Sequence, residues 1–335
     1  MRRHEIPPEL NSAKHEAVEQ LLGRAPVVRS RRTWAVRAYP DHNVVGVGVG
    51  QKIKRGRAIK RRCVRIYVER KIPLAALPSN AILPERVNGV ETDVIQAGHF
   101  RAHLPDVPAG QKRLRPARPG CSIGFKFPEA QSGDLMSGTL GAVVESDGTR
   151  YLLSNNHVLA NENSLPAGTP IFQPGLLDGG NPASDTIAML SQFIALTANA
   201  PNSVDCAIAA LVDASAVAPP ILPKVGRLKS SEPIDAVEGM AVEKTGRATG
   251  YTTGAVFDVS ATISVQFDLG MLTFADQILI RGDAGLFSDG GDSGSLVVDV
   301  ASGCATGLVI GGSTQFAIAN HITDVLQALN VKLVC

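Results

Sequence analysis

The most constraining feature of this chain is the run Gly-Asp-Ser-Gly-Ser at residues 291–295. A glycine-rich turn at residues 288–290 leads into it, and the apolar run Leu-Val-Val at residues 296–298 follows it as a strand. Glycine has no Cβ, so it accepts sharp backbone angles that push one side chain outward and leave amide N–H groups beside it. The run therefore predicts that Ser293 is a nucleophile on a tight turn before a strand.

A serine nucleophile needs a general base, and histidine is the usual one. After residue 116 the chain has only two histidines, His157 and His321. His157 follows the apolar strand Tyr-Leu-Leu-Ser at residues 151–154, whereas His321 precedes an amphipathic stretch that predicts a terminal helix over Ile322 to Leu329. Since a histidine in the latter place is typical of a helix start or a surface, we expect His157 to be the base.

The third group is a carboxylate that orients the imidazole and stabilises its protonated form. Asp185 and Asp205 both stand where an apolar run begins, and the residues alone leave both open. Asp205 is favoured because the run after it carries no charge and predicts a buried strand.

The order His157, Asp205, Ser293, with Leu-Ser-Asn-Asn-His around the base, resembles the chymotrypsin-type (trypsin-like) serine proteases. A closer likeness is to the plant Narrow Leaf serine protease and its bacterial relatives. It extends over most of residues 119–335 and is carried by five segments: LSNNHVLANEN at 153–163, QPGLLDGG at 173–180, GRATGYTTG at 246–254, GDSGS at 291–295 and GLVIGGST at 307–314.

This resemblance implies a role for each matching residue. Ser293 would be the nucleophile, His157 the general acid and base, and Asp205 the orienting carboxylate. The backbone N–H groups of Gly291 and Ser293 would form the oxyanion hole, and the strand at residues 307–312 would pair with the substrate backbone. No metal or other cofactor is implied.

The chain departs from the family pattern in the expected substrate-binding residues Phe287, Ile310, Gly311 and Gly312. Ile310 and Gly311 stand where many relatives have a serine that bonds the aspartate and then a tryptophan. Phe287 stands at the expected pocket floor, where no aspartate selects Lys or Arg. We therefore expect a small or apolar side chain at the cleavage position.

Asp292 is retained beside the nucleophile. In trypsin-like enzymes the corresponding aspartate often pairs with a new N-terminus that activation cleavage creates. No clear activation site is visible, so the alternatives are a cut in the arginine-rich stretch at residues 113–118 or a site preformed by other contacts.

The pattern after residue 119 predicts a mostly β fold: a double antiparallel β-barrel, chymotrypsin-like, with a C-terminal helix. His157 and Asp205 would come from the first barrel and Ser293 from the second. Before it, a helix at residues 8–22, strands at 44–50, 63–68 and 91–95 and a short helix near 73–77 predict a small α+β domain. We expect two domains, residues 1–118 and 119–335, with residues 110–119 as a linker. The strand at residues 44–50 has a glycine at every second position, and we expect it to pack against close neighbours rather than to bind a nucleotide.

Charge separates the two regions. Residues 1–118 hold 24 Lys and Arg against 10 Asp and Glu, whereas residues 119–335 hold 9 against 21. Much of the positive charge lies at residues 52–71, which predicts a solvated hairpin, docking on the acidic region, or binding of an anionic partner. Nucleic acid is disfavoured, because only Tyr67 interleaves an aromatic ring with the basic run.

The five cysteines are scattered and lack metal-ligand spacing, which is typical of reduced, mostly buried thiols and predicts a cytoplasmic protein. No signal-peptide pattern or membrane span is expected, and the sequence is compatible with a homo-oligomer. We expect an intracellular bacterial serine endopeptidase acting on proteins or peptides, with a regulatory N-terminal domain. The alternative is a catalytically weak or silent protease-fold scaffold whose basic domain binds an anionic partner.

Overall fold

The computed structural model describes residues 3–22, 43–54, 56–102, 112–127, 136–219, 221 and 225–335. In this part of the chain strands predominate and helices are few, as the sequence predicts. No helix among these residues is long and apolar enough to cross a membrane.

The described residues of the N-terminal region form one long helix, α1 (Pro8–Leu21), and five strands: β1 (Val44–Lys54), β2 (Arg57–Val68), β3 (Arg86–Val87), β4 (Val90–Gln96) and β5 (Arg101–Ala102). Helix α1 begins at a proline, whose fixed φ suits a first helical turn, and it buries Leu10, Ala13 and Ala17 along one stripe. The predicted helix and the three predicted strands are thus confirmed. A 3₁₀ turn at Leu74–Ala76 stands at the predicted short helix.

The first barrel contains helix α2 (Asn156–Leu159) and seven strand segments: β6 (Ser122–Ile123), β7 (Gly138–Thr139), β8 (Ala142–Ser146), β9 (Thr149–Ser154), β10 (Pro170–Phe172), β11 (Thr186–Phe193) and β12 (Ala207–Leu211). The strand order β10-β11-β12-β9-β8 is antiparallel throughout. Leu140 and Gly141 lie between β7 and β8, and their backbone N–H groups continue the hydrogen bonding from one strand to the next. Strand β6 pairs with β7. Because Gly124, just after β6, bridges to Phe172 of β10, the strands close into a ring.

The second barrel is formed by β13 (Ala241–Gly246), β14 (Gly250–Phe267), β15 (Gly270–Gly282), β16 (Leu296–Asp299), β17 (Ala305–Gly312) and β18 (Ala317–His321). Their order is β13-β16-β17-β18-β15-β14, and β14 pairs again with β13. This ring is therefore also closed and antiparallel, so the predicted double barrel is confirmed.

The C-terminal helix α3 (Ile322–Leu329) has the predicted bounds, and strand β19 (Lys332–Leu333) then pairs with β8. Helix α3 buries Ile322, Val325, Leu326 and Leu329, the i, i+3, i+4, i+7 stripe of an amphipathic helix. Its buried face shares one apolar cluster with side chains of both barrels. The helix therefore packs the two barrels together.

Strand β1 connects the N-terminal strands to the second barrel, because Gly46 pairs with Ile263 of β14. A Cβ added to Gly48 would lie 2.3 Å from Oδ2 of Asp258, and one added to Gly50 would lie 2.3 Å from the Arg65 guanidinium carbon. The alternating glycines are therefore points of close approach, as predicted. The N-terminal strands and the second barrel share one sheet, and the division into domains at residue 118 stays a prediction.

Several ion pairs join the basic N-terminal region to the acidic remainder. Nζ of Lys14 lies 2.5 Å from Oδ1 of Asp276, Nη1 of Arg3 lies 2.6 Å from Oδ2 of Asp324, and Nη2 of Arg65 lies 3.0 Å from Oε1 of Glu238. Arg65 is buried and its guanidinium also stacks 4.3 Å above the Phe257 ring, so this part of the basic hairpin is not a solvated face. Lys52 and Arg61 instead surround the half-exposed Glu91, each 3.1 Å from its carboxylate.

Candidate active site

His157 lies in the single turn of α2, directly after strand β9 ends at Ser154. Its Nδ1 is 2.5 Å from Oδ2 of Asp205, which lies just before strand β12. Since an ionised carboxylate only accepts hydrogen bonds, Nδ1 carries the proton and Nε2 is the basic nitrogen. The structure thus brings the expected base and the favoured aspartate together in the first barrel.

The carboxylate of Asp205 is held from several directions. Its Oδ1 accepts hydrogen bonds from the backbone N–H groups of Asn156 and His157, at 2.7 and 3.3 Å. Its backbone is fixed by Asn320, whose Oδ1 accepts from the Asp205 N–H and whose Nδ2 donates to the Asp205 carbonyl, each at 3.0 Å. Asn155 Nδ2 donates to the same carbonyl at 2.8 Å. These contacts hold Asp205 in place without any hydrogen bond from the Ile310 side chain, which is apolar.

Asp185 has a different environment. Its Oδ1 lies 2.6 Å from Nε of Arg113 and 3.2 Å from Nη2 of Arg115, and its Oδ2 accepts from the Asn181 N–H at 2.9 Å. The two arginines belong to the expected linker, whose residues 110 and 111 lie outside the described part of the chain. Asp185 thus ties residues 112–118 to the first barrel, and no hydrogen bond to His157 connects it with the site among the described residues.

Ser293 lies on the turn before β16, between two glycines with left-handed backbone angles, Gly291 at φ 96° and Gly294 at φ 91°. A Cβ at Gly294 would lie 2.1 Å from the Ser154 hydroxyl and 2.4 Å from the Thr139 carbonyl, so the turn presses against the first barrel. Thr139 accordingly donates its hydroxyl to the Gly291 carbonyl at 2.7 Å and its N–H to the Ser293 carbonyl at 2.9 Å. These contacts place the turn that carries Ser293 at the boundary between the barrels.

The Ser293 hydroxyl donates to the carbonyl of Ile310 at 2.8 Å. Nε2 of His157 is buried and makes no hydrogen bond in the part of the chain that the structure describes. His157 is 3 % and Ser293 1 % exposed. In this state the Ser293 hydroxyl and the His157 imidazole are both covered and are not bonded to one another.

Gly291 and Ser293, the residues expected to form an oxyanion hole, have their carbonyls directed at Thr139. Within the described ranges, the N–H groups of Gly291 and Ser293 make no hydrogen bond to the protein. Two backbone donors beside the nucleophile that are not used by the fold are what an oxyanion hole needs.

Asp292 is fully buried and its carboxylate is paired with Lys244 of β13, whose Nζ lies 2.9 Å from Oδ2. Oδ2 also accepts from the Thr249 hydroxyl at 2.5 Å, and Oδ1 accepts from the Ala248 N–H at 2.7 Å. Burial alone would raise the pKa of Asp292, but the Lys244 ammonium and these hydrogen bonds hold that pKa below its ordinary value. Burial also lowers the pKa of Lys244 despite its attraction to Asp292. An internal lysine therefore neutralises the buried carboxylate beside Ser293.

A second buried ion pair joins the barrels next to this turn. Arg247, in the loop between β13 and β14, donates from Nε and Nη2 to the two oxygens of Asp178 at 2.5 and 2.8 Å. Asp178 lies on the 3₁₀ turn Leu176–Asp178 of the first barrel. Because a Cβ on Gly291 would lie 2.3 Å from Nη1 of Arg247, this arginine packs directly against the nucleophile turn.

The remaining expected site residues, Phe287, Ile310, Gly311 and Gly312, are all buried. Phe287 packs in the apolar core of the second barrel and its ring lies 5.9 Å from Nζ of Lys244. Ile310 faces a second core cluster while its carbonyl holds the Ser293 hydroxyl. Gly311 and Gly312 pair on one side with β18 and on the other with β5, at Ala102 and Arg101. Their roles in substrate binding stay predictions.

Sequence reasoning missed four residues around the site: Lys244, Asn320, Asn163 and Phe267. Lys244 could have been found, because strand alternation puts it on the same inward face as Val242, where a charge needs a partner. Asn163, at the end of the LSNNHVLANEN segment, exchanges two hydrogen bonds with Asn156 and two with Leu196. The Phe267 ring meets the His157 imidazole edge-on at 5.6 Å, a contact between the two barrels that no local pattern indicates.

His321 and the cysteines lie outside this arrangement. His321 precedes α3, as expected, and its Nε2 is 2.9 Å from the Val259 carbonyl. All five cysteines are free, and Cys63, Cys121 and Cys206 are buried. Burial raises the pKa of Cys63 and of Cys121 to about 12, so neither is a thiolate nucleophile near neutral pH.

No protein-family model and no curated protein matches the chain. Solved structures of serine proteases do. A glutamic-acid-specific serine protease, described as using a histidine triad in substrate binding, is 21% identical, with 65% of this chain and 100% of that one covered and a TM-score of 0.46. Thermobifida fusca protease A is 18% identical over 65% and 99% of the two chains, TM-score 0.46, and a Nocardiopsis protease is 15% identical over 65% and 100%, TM-score 0.46. These are likenesses of fold, and the double barrel described above rests on this chain's own strand pairing.

Proposed function

We propose that this protein is a serine endopeptidase that hydrolyses peptide bonds through an acyl-enzyme. The observation that carries the proposal is the 2.5 Å contact between Nδ1 of His157 and Oδ2 of Asp205, with Ser293 on its glycine turn at the junction of the same two barrels. This combination supplies an oriented base and a nucleophile that the backbone holds in place.

In the proposed reaction, the Ser293 hydroxyl turns from the Ile310 carbonyl to Nε2 of His157 and attacks the scissile carbonyl. His157 takes the hydroxyl proton, and the N–H groups of Gly291 and Ser293 stabilise the oxyanion. Collapse of the intermediate breaks the C–N bond, and His157 gives its proton to the leaving amine. His157 then deprotonates a water molecule, which attacks the acyl-enzyme carbonyl. The bond between the acyl group and the Ser293 oxygen breaks, and His157 returns its proton to that oxygen.

The contacts of Asp292 favour the preformed alternative over activation by cleavage. Lys244 neutralises Asp292 within the folded chain, so the turn that carries Ser293 needs no new N-terminus to be held. The arginine-rich stretch is engaged by Asp185, which supports a structural role for it. We therefore propose that the protease region assumes its nucleophile turn without processing.

For specificity, Phe287 and the lack of an aspartate at its position support cleavage after a small or apolar side chain. The specific likeness to the plant Narrow Leaf protease and its bacterial relatives is part of this proposal, as is a cytoplasmic location, which the five free cysteines support. The ion pairs of Lys14, Arg65 and Arg3 with the acidic region support regulation by the N-terminal residues.

Labelling with a fluorophosphonate probe tests the proposal, because the probe phosphorylates a serine only when a base activates it. We expect the full chain to be labelled, Ser293→Ala to abolish labelling, and His157→Ala to reduce it to background with the far-UV circular dichroism unchanged. Unlabelled full chain, with the fold intact, would contradict the proposal.

A silent scaffold is the second candidate, and a specific observation favours it: Ser293 bonds Ile310 rather than His157, and both reacting side chains are covered. If the full chain binds an anionic partner such as a phosphorylated peptide or an acidic vesicle in a salt-sensitive way but is never labelled, this candidate replaces the peptidase.

A further inference from the structure

The strand edge expected to receive substrate is occupied by the chain itself. Strand β5 pairs antiparallel with the end of β17, with Ala102 opposite Gly311 and Arg101 opposite Gly312. On its other side β5 pairs parallel with β14, with Arg101 opposite Gln266. A backbone segment of the N-terminal region thus lies in the second barrel's sheet between β17 and β14.

The segment leading into β5, residues 97–102, is anchored at several points. The Ala97 N–H donates to the Val68 carbonyl at 2.8 Å, and the Ser313 hydroxyl donates to the Ala97 carbonyl. Phe100 is fully buried in the apolar cluster that includes Ile310 and Phe267, and its carbonyl accepts from the Gln266 N–H at 3.3 Å. The segment is therefore packed into the barrel and does not lie only on its surface.

This position bears directly on the nucleophile. Gly311 and Gly312 follow Ile310, whose carbonyl holds the Ser293 hydroxyl. A peptide that adds to a sheet edge needs the unpaired N–H and C=O groups of that edge, and one edge accepts one strand at a time. While β5 is paired there, an extended substrate has no backbone to pair with beside Ser293.

We propose that residues 97–102 are an autoinhibitory strand that occupies the substrate edge of β17, so that the chain is latent until this strand is released. The proposal rests on the proposed peptidase function. The apparent substrate affinity is then the affinity of the open form multiplied by the fraction of molecules in which the edge of β17 is open.

Two pairs of variants test it in the full chain. Gly98 has a φ of 74°, so alanine there is strained, and its Cβ would also lie 3.1 Å from Oγ1 of Thr314. Gly89 has a φ of 78° in the β3–β4 turn, so alanine there carries the backbone strain alone, away from β5. Phe100→Ala removes the buried anchor. Leu279→Ala removes a buried side chain of the same cluster from β15 and leaves residues 97–102 intact.

Three measurements are made on each variant: labelling by a small fluorophosphonate, hydrolysis of fluorescently labelled casein, and amide hydrogen exchange of residues 97–102. We expect Gly98→Ala and Phe100→Ala to exchange faster in this segment and to cleave casein faster, by on the order of tenfold, because a larger fraction of molecules has the edge open. Gly89→Ala and Leu279→Ala should cleave casein at the wild-type rate. Ser293→Ala in the Phe100→Ala chain should abolish cleavage.

The proposal is overturned if Gly98→Ala and Phe100→Ala exchange faster in residues 97–102 yet cleave casein no faster than their controls. It is also overturned if all four variants accelerate cleavage equally, since general loosening would then be the cause. If no variant is labelled although exchange shows the strand released, the peptidase function itself fails and the inhibitory role fails with it. Labelling without acceleration leaves the peptidase standing and removes only the autoinhibitory strand.

Discussion

The two barrels hold the candidate reacting groups, His157 and Ser293, by different means. On the histidine side, neutral groups do the positioning: the amides of Asn155 and Asn320 and two backbone N–H groups fix Asp205, which orients His157. On the serine side, buried ion pairs do it, with Lys244 on Asp292 and Arg247 on Asp178.

The difference has energetic consequences. A buried ion pair contributes little over an apolar replacement of both partners, but removal of one partner leaves an uncompensated charge and is strongly destabilising. Removal of a neutral amide lowers the stability only by the desolvation cost of the groups that it leaves unpaired. On the serine side, we therefore expect single substitutions and changes of pH to have the larger effect on the free energy of unfolding. On the histidine side, we expect substitutions to have the larger effect on the rate of the chemical step.

The largest expected effect is on the histidine side, in turnover. Asp205→Asn should lower kcat by about 10⁴, as the corresponding change does in serine proteases, because an amide favours the wrong imidazole tautomer. Stability should change far less. Peptide hydrolysis by the purified variant measures this.

Asp185→Asn is the matched control for Asp205→Asn, since Asp185 is also buried but bonds arginines rather than His157. A loss of turnover with Asp185→Asn and not with Asp205→Asn would show that the wrong carboxylate has been assigned.

The next effect is on the serine side, in stability. Lys244→Met leaves Asp292 buried without its cation and should lower the free energy of unfolding by about 3–5 kcal/mol. Urea unfolding followed by circular dichroism measures it. The double variant Lys244→Met/Asp292→Asn removes both charges and should recover much of the loss. Equal losses in the single and double variants would mean that the ion pair is not what holds this turn.

Asn320→Ala tests the amide support directly. It leaves the buried N–H and C=O of Asp205 with fewer partners, and the expected loss is about 1–3 kcal/mol in unfolding free energy. Asn199→Ala, on an exposed position, should be neutral by comparison. A cost as large as that of Lys244→Met would remove the contrast between the two sides.

The smallest expected effect is on pH dependence. The pKa of Asp292 is lower in the folded chain than its ordinary value of about 3.9. At pH values between the lowered pKa and the ordinary one, the folded state therefore binds fewer protons than the unfolded state. The stability it contributes is present above pH 4 and is lost as the pH falls through the lowered pKa. Acid unfolding of the wild type and of Lys244→Met/Asp292→Asn, compared in urea, should show a shallower pH slope for the double variant; identical slopes would contradict this assignment.

Much of the fold was predictable because its signals are local. Helix α3 has the bounds expected from its apolar stripe, and β12 begins just after Asp205 as its uncharged run predicts. The nucleophile turn was predictable because only glycine readily takes the angles found at Gly291 and Gly294. The pairing of β1 with β14 depends on residues far apart in the chain, and no period in the sequence indicates it.

By itself, the sequence determined which residue types are available for chemistry and the order of strands that carries them, since periodicity and glycine placement act over a few neighbouring residues. Only the tertiary structure decided which carboxylate meets His157, that Lys244 neutralises Asp292, and that β5 fills the edge of β17. Each of these contacts joins residues far apart in the chain, where barrel closure and burial, not local preference, determine which groups meet.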